Sequence, residues 1–427
     1  MKNLRPYQRK AVVEVVRSFL AGDDAVLLQS PVGSGKTFMA MNVLKQMRET
    51  YPDIKIAAIA HTRELVQQLR EAAEDIGIGR HVYVQSVAMA RQNSFAVQPN
   101  ILVVDECHHI EAESYKKIIA DLCEQPLVLG LTATPVRMDG KKLLKKDGGT
   151  FDKVVIAATI KELASLGNVL IPRIYTSKER LPNLSRIKRR DGDYDPGELC
   201  GVLNTPRLCG DVVEQYRKKA YGRQALVFAI NREHAKSLKE RFERSGFSAE
   251  CVFGNEKEYR IKHVNDFRKG RIQILINLHI CTEGWDYPEL ECVILACPTQ
   301  SYVKYIQACG RCMRNISGKN TPVILDHGGC RHDHGHPAEE RNFGEPEKEG
   351  YEREGPGGKE CPGCGALQAM RALECKVCGY VFTAPGCQEE LDEELVLIDE
   401  DKNRATEMLR FLQAAAKTLC GVDLIHN

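Results

Sequence analysis

Aromatic side chains make up only 6% of the 427 residues, and Trp285 is the single tryptophan. No apolar run reaches the roughly 18 residues of a membrane-spanning helix, which argues against an integral helical membrane protein. Met1 to Lys10 lack the apolar core of a secretory leader, so a soluble, cytoplasmic protein is expected. Net charge is nearly absent: 60 Lys and Arg stand against 58 Asp and Glu, leaving +2. The overall charge therefore does not announce a nucleic-acid binder, and any basic surface has to be local. No nuclease constellation is visible, so strand cleavage would need a partner. Cysteine is plentiful at 17, but odd in number and scattered. That pattern speaks against a disulfide framework and for metal ligation by a subset. The length exceeds one ordinary core, and two or three domains are expected.

The chain is organised around Ser30-Pro31-Val32-Gly33-Ser34-Gly35-Lys36-Thr37. An apolar run, Ala25 to Leu28, precedes it, and a helical pattern, Phe38 to Met47, follows. Strand, glycine-rich turn and helix is the context of a phosphate-binding loop. Its N–H groups and the helix N-terminus face phosphate oxygens. Lys36 adds a positive charge, and Thr37 offers a hydroxyl to Mg²⁺. Ser30 stands where such loops usually carry their first glycine. Taken alone, the stretch could also be an ordinary surface turn.

Apolar runs then alternate with helical patterns. Lys55 to Ala60, His81 to Gln85, Asn100 to Val104 and Leu127 to Leu131 read as strands. Such alternation predicts a parallel sheet covered on both faces, with ligands at the carboxyl ends of its strands. Asp105 and Glu106 sit at one such end. Asp105 suits the Mg²⁺ shell, and Glu106 is placed to orient and activate water. Cys107 and His109 read as packing or surface residues. Near the N-terminus, Leu4-Arg5-Pro6-Tyr7-Gln8 opens an amphipathic helix. The Gln8 amide can donate to and accept from an adenine edge, or it can cap the helix.

From Val136 to Tyr221 the periodicity weakens. Lys141, Lys142, Lys145 and Lys146 form one basic run, and Arg186, Lys188, Arg189 and Arg190 another. Both read equally as solvated loops or as phosphate contacts along a nucleic-acid track. Phe151 to Val169 reads as a strand and helix of the first domain. Asp191 to Tyr194 reads as a hinge, and the domain boundary is expected between about Leu181 and Thr205. Alternation resumes with strands at Gln224 to Ile230, Ala249 to Phe253, Arg271 to Leu278 and Glu291 to Cys297, and Thr321 to Asp326 closes a second doubly wound sheet. A helix from Ser301 to Arg314 is expected to carry Gln307, Gly310, Arg311 and Arg314 on one face. Two guanidinium forks there suit a polyphosphate.

These stretches resemble the motifs of superfamily 2 helicases. Gln8 matches an adenine-reading motif, Ser30 to Thr37 motif I, and Thr62-Arg63-Glu64-Leu65 motif Ia. Asp105-Glu106-Cys107-His108 is similar to motif II, and Thr132-Ala133-Thr134 to motif III. Thr282-Glu283-Gly284-Trp285-Asp286 resembles motif V, and Gln307 to Arg314 motif VI. The resemblance implies two tandem RecA-like domains, over 1–180 and 205–330, with ATP and Mg²⁺ between them. It assigns Glu106, Gln307, Arg311 and Arg314 to catalysis. Arg5, Gln8, Pro31, Gly33, Ser34, Gly35, Lys36, Thr37, Asp105, Gly284 and Asp286 go to the nucleotide and its metal. Thr62, Arg63, Ser86 and Thr282 go to nucleic acid. Motif VI opens with Gln307 rather than the His-Arg pair of DEAD-box RNA helicases, which favours DNA. Trp285 either stacks on a base or packs between strands.

Two Cys-x-x-Cys pairs, Cys361/Cys364 and Cys375/Cys378, are separated by ten residues. Four thiolates at that spacing suit tetrahedral Zn²⁺, so a zinc ribbon over 355–385 is expected. Such a unit leans on its metal for stability. His327, Cys330, His332, His334 and His336 are dense enough to suggest a metal, but their spacing matches no common site, and the stretch reads as a flexible loop. An acidic segment and a helix are expected over 389–427. With the ribbon, the chain resembles RadD-like helicases of bacteria and phage relatives. The implied activity is an ATP-dependent helicase or translocase on DNA, in repair, recombination or fork processing. The alternatives are an RNA remodelling helicase and a nucleotide-gated subunit of a restriction or defence complex. On this reading, a chain ending at Asp326 keeps both large domains and basal ATPase, and the ribbon docks nucleic acid or a protein partner.

Overall fold

Ala25-Val26-Leu27-Leu28 is apolar on both faces, and such a run belongs inside a sheet covered on both sides. In the computed structural model it forms β1 (Ala25–Gln29), between two parallel neighbours. The structure describes residues 3–382 except 93, 94, 96, 123, 138, 139, 177–183, 185, 191, 255, 279–284, 286, 340–358 and 369–371. The segment expected as an acidic stretch and helix, 389–427, lies outside the described residues.

The first sheet adds β2 (Ile56–Ala60), β3 (Val82–Ser86), β4 (Ile101–Asp105), β5 (Leu127–Thr132) and β6 (Lys153–Ile156). Its order is β3-β2-β4-β5-β1-β6, parallel throughout. Helices α1 (Pro6–Leu20), α2 (Lys36–Thr50) and α3 (Arg63–Ile76) bury Val12, Val15, Leu44 and Leu69 against one face. Helices α4 (Val87–Gln92) and α5 (Glu113–Ala120) bury Ala90, Tyr115 and Ile118 against the other. The crossover rule thus puts every strand's carboxyl end on one edge of the lobe. Helix α6 (Ile160–Ser165) follows β6, opened by a Thr159/Glu162 capping box.

The next strand changes sheets. β7 (Arg173–Thr176) pairs with β14 (Val323–Asp326), residue for residue from Arg173↔Val323 to Asp326↔Thr176. The expected boundary near 181–205 therefore moves upstream of 173, and β14 does not close the second sheet. The reason is that a four-residue strand carries no local mark of its partner. The second sheet runs β11 (Ala249–Val252), β12 (Ile274–Asn277), β10 (Ala225–Phe228), β13 (Cys292–Leu295), β14, β7, again parallel.

Between β7 and β10 the chain forms a short hairpin, β8 (Arg189–Arg190) with β9 (Asp193–Tyr194), then α7 (Pro196–Leu203) and α8 (Pro206–Lys219). Periodicity assigns neither helix, although Asp195-Pro196 and Thr205-Pro206 are start signals. The Asp195 carboxylate accepts from Gly197 and Glu198 N–H, and Thr205 Oγ1 from Leu208 N–H. Helices α8 and α9 (Arg232–Arg244) cover one face of the second sheet. Helices α10 (Lys257–Arg268), α11 (Tyr302–Gly310) and α12 (Cys330–His334) contribute Phe267, Tyr305 and Cys330 to the other.

The same core takes in Cys361, Cys364, Ala366, Cys375 and Val377. The ribbon, with β15 (Lys359–Glu360) paired antiparallel to β16 (Leu367–Gln368), is thus packed on the second lobe. Ile174 N–H reaches Cys364 O at 3.5 Å, and a Cβ on Gly365 would lie 2.7 Å from Ile174 O. Only glycine permits that approach, and Gly365 also has φ +78°.

Candidate nucleotide and nucleic-acid site

The phosphate loop forms where β1 ends. Ser30 N–H donates to Thr132 O at 3.1 Å, joining the loop to the end of β5. Gly33 and Gly35 have φ of +83° and +86°, a region that side chains disfavour. Lys36 opens α2, and its Nζ donates to Ser30 O at 3.2 Å. Burial lowers the Lys36 pKa; the Glu106 and Asp105 carboxylates oppose this, and Arg311 and Arg314 reinforce it. Thr37 follows in the first turn, and Pro31 and Ser34 complete the loop.

Gln8 reaches this loop from α1. Its Nε2 donates to Ser34 O at 2.8 Å while its Oε1 accepts from Arg5 N–H at 2.9 Å. Tyr7 Oη donates to the same Ser34 carbonyl at 2.8 Å. In this state Gln8 is both helix cap and loop clamp. Tyr7, inside the Leu4 to Gln8 stretch but given no role from sequence, joins the site as well.

β4 delivers Asp105, whose Oδ1 accepts from Glu106 N–H at 3.0 Å. Burial and the neighbouring Glu106 push the Asp105 carboxyl up to about 7, with Lys36 pulling the other way. The Asp105 carboxylate and the Thr37 hydroxyl are oxygen donors of the kind that a divalent cation takes. Glu106 has φ +48°, the left-handed region, unique among the described non-glycine residues. Holding it there costs about 1–3 kcal/mol. His108 Nδ1 lies 3.4 Å from Glu106 Oε2 and 3.5 Å from Thr132 Oγ1. It thereby links the end of β4 to Thr132-Ala133-Thr134, where Thr132 Oγ1 also donates to Thr134 O. Cys107 packs in the core as expected, and His109 stacks on His61 with centroids 5.6 Å apart.

The second lobe meets this loop directly. Helix α11 ends at Gly310, four residues short of the expected end, and Arg311 is its C-cap. Arg314 is therefore not on the helical face with Gln307. It instead forms a β-bridge with Val169. The helix ends there, and the turn that follows re-aims the arginine. A Cβ on Gly310 would lie 3.0 Å from Val32 Cγ2, and one on Gly33 would lie 3.1 Å from Arg314 Cγ. Gln307 is buried, and Arg311 donates to Trp285 O. Trp285 packs with Phe267 of α10 and with Tyr287, neither of them on a strand, rather than between strands as expected. Thr282, Gly284 and Asp286 lie outside the described residues.

Among the nucleic-acid candidates, Thr62 caps α3 by accepting Leu65 N–H at 3.2 Å, and Ser86 Oγ accepts Met89 N–H at 3.3 Å. Arg63 stands in the first turn of α3. These three stand at carboxyl ends of β2 and β3, the strand-end edge that also carries the phosphate loop.

The ribbon thiols converge. Cys361 and Cys378 sulfurs are 3.5 Å apart, Cys364 and Cys375 3.7 Å, and all four lie within 4.8 Å of one another. A tetrahedron with Zn–S bonds of about 2.3 Å has edges of about 3.8 Å, so the residues fit that ion. Among the described residues no other group of three or more His, Cys, Asp or Glu converges so. The run from His327 to His336, expected as a flexible loop, instead carries the short helix α12 with Cys330 and His334 buried and Tyr305 stacked on His334. No described helix is long and apolar enough to cross a membrane.

Residues 207–316 match the helicase conserved C-terminal domain, and residues 1–93 and 82–137 match the type III restriction enzyme res subunit. A 51.5 kDa protein of a Lactococcus phage is 31% identical over 385 residues, covering 88% of this chain and 83% of the phage protein. The chain belongs to the superfamily 2 helicases. The helicase is also 28% identical over 356 residues to the Saccharomyces cerevisiae protein named "Putative ATP-dependent helicase IRC3", covering 76% of this chain and 51% of that one. It spans about half of IRC3's length. Its fold is similar to part of the DNA-bound type ISP restriction-modification enzyme LlaBIII, with a TM-score of 0.56 at 18% identity over 76% of this chain and 27% of that one. The helicase is an ATP-dependent motor that acts on nucleic acid.

Proposed function

We propose that this helicase hydrolyses ATP between its two lobes to translocate on DNA. The observation that carries the reading is the seating of Gly310 on Val32 and Arg314 on Gly33. An arginine from one lobe then rests on the phosphate loop of the other. Lys36 and the N–H groups from Gly33 to Thr37 hold phosphates. Thr37 and Asp105 hold Mg²⁺, which neutralises phosphate charge when bound. Glu106 orients water and takes its proton, with His108 fixing the carboxylate. Arg314 and Arg311 meet the charge that develops in the transition state, and Gln307 donates beside them. Gly284 and Asp286 couple the nucleotide to nucleic acid, which Thr62, Arg63, Ser86 and Thr282 contact. Arg5 and Gln8 serve the adenine end. Zn²⁺ is held by Cys361, Cys364, Cys375 and Cys378.

Support for DNA comes from Gln307 at the head of motif VI, from the restriction-subunit family matched by the first lobe, and from the DNA-bound state of LlaBIII. The test is ATPase stimulation by single-stranded DNA, duplex DNA and RNA, with Arg314→Ala alongside. DNA should stimulate and RNA should not. Arg314→Ala should bind ATP near normally and lose about a thousandfold in turnover. Greater stimulation by RNA would overturn the DNA assignment. Unchanged kcat with weakened ATP affinity would make Arg314 a ground-state ligand. The same restriction-type matches favour a second reading, a subunit whose ATPase switches a complex without unwinding. Displacement of a triplex-forming strand by the isolated chain rules that out.

A further inference from the structure

The turn after motif VI folds back on itself. Gly318, with φ +81°, reverses the chain so that Lys319 returns beneath the arginine segment. Lys319 Nζ donates to three carbonyls: Pro288 at 2.7 Å, Cys312 at 2.8 Å and Arg314 at 2.9 Å. An ammonium has three donors, and here all are used. Two of the acceptors flank Met313, whose own carbonyl accepts from Leu170 N–H at 2.7 Å. The third belongs to the segment after Trp285, whose carbonyl accepts from Arg311. One side chain thus binds the backbone of Arg314 to the backbone that follows motif V.

We infer that Lys319 is a positioning residue for the arginine that acts across the cleft. The inference rests on the transition-state role proposed for Arg314. The Arg314 guanidinium is carried on a non-helical segment, so no helix hydrogen bonds hold it in register. A loose turn there would let the guanidinium wander, and a displacement of about 1 Å can cost about a hundredfold in rate. Lys319 gathers the three carbonyls onto one point charge. Arginine is no substitute, because a planar fork cannot address three convergent acceptors.

The experiment compares Lys319→Met, Lys319→Arg, Arg314→Ala and the Lys319→Met/Arg314→Ala double variant in the full chain, by steady-state ATPase with and without single-stranded DNA. Binding of a fluorescent, non-hydrolysable ATP analogue confirms that each variant is folded. Lys319→Met should lose about a hundredfold in kcat with KM for ATP within about twofold. On the Arg314→Ala background the same change should cost less than about twofold, because the residue it positions is gone. Lys319→Arg should lose about tenfold. Wild-type kcat in Lys319→Arg or Lys319→Met overturns the inference. So does an equal loss in both backgrounds, which marks a role independent of Arg314. Full kcat in Arg314→Ala refutes the role of the arginine itself and is distinguishable from either result.

Discussion

Arg314 lies on Gly33: a Cβ built on the loop glycine would sit 3.1 Å from Arg314 Cγ and 3.5 Å from its Nε. Gly33 is therefore constrained twice, once by its own φ of +83° and once by a side chain from the other lobe. Gly310 repeats the arrangement from the opposite side, against Val32. The phosphate loop and motif VI are fitted to each other in this state.

Gly33→Ala should meet both constraints. The left-handed backbone costs about 1–2 kcal/mol for an alanine, and the methyl group pushes Arg314 outward. Turnover should fall by more than about tenfold while the protein remains folded. Normal kcat in a variant that melts like the parent would show that the contact is incidental to hydrolysis.

Lys36→Ala should abolish turnover, because the phosphates lose their counter-charge and the Asp105/Glu106 pair loses its cation. Glu106→Gln should separate binding from chemistry. It keeps shape and nucleotide affinity but loses the base, at about 10²–10⁴ in kcat. Filter binding of ATP with a single-turnover assay checks both, and near-normal turnover in Glu106→Gln would remove its assigned role.

The ribbon should contain one zinc per chain, and its removal should reach the motor. Tyr305 Oη donates to Gly335 O at 2.9 Å, and His334 Nε2 pairs with Thr299 O at 2.8 Å, on either side of the start of α11. Arg331 pairs with Glu360 at 3.3 Å. Truncation after Asp326 deletes all of these interactions, so basal ATPase should disappear, contrary to the expectation of an independent ribbon. The milder change, Cys375→Ser, should release zinc and lower the melting temperature of the second lobe. Elemental analysis with calorimetry decides; a zinc-free variant that melts like the parent contradicts the packing.

The basic run at the β8–β9 hairpin is exposed beside a buried apolar base. Ile187 is buried with Leu199, Cys200, Leu203 and Ile230, while Arg186 and Arg189 are exposed. Arg186→Glu with Arg189→Glu should weaken DNA binding without changing DNA-independent ATPase. The log–log salt slope should fall by about 0.7 for each single-strand phosphate that is no longer neutralised. Fluorescence anisotropy at several salt concentrations measures it, and identical slopes would return the hairpin to a purely structural role.

Acid should loosen the same hairpin. Burial raises the Asp193 pKa, but the Gln300 N–H, the Thr299 hydroxyl and the Lys304 ammonium outweigh it and hold the carboxyl below the ordinary aspartate value. A depressed folded pKa means that the stabilisation is present above the unfolded value of about 3.9 and is lost as pH falls through the folded one. The melting-temperature gap between the parent and Asp193→Asn should be full at about pH 6 and shrink below about pH 4. A gap that stays constant to about pH 2.5 would show that the charge is not what anchors it.

The phosphate loop, Asp105/Glu106 and the four ribbon cysteines were legible from sequence because each is a contiguous pattern whose chemistry depends on near neighbours. Strand, turn and helix follow one another from Ala25 to Met47, and a Cys-x-x-Cys knuckle needs only its glycine. The arginine pair was legible as residues but not as geometry. Periodicity carries α11 through to Arg314, whereas the chain leaves the helix after Gly310, which packs against Val32. Tertiary structure alone decided which sheet received Arg173–Thr176, since a short strand's partner is chosen by long-range pairing. It also decided that the ribbon belongs to the core of the second lobe, and that Lys319 grips three carbonyls spread over residues 288–314. Those interactions join residues far apart in the chain, and pattern along a sequence encodes what a segment buries, not which distant segment it is buried against.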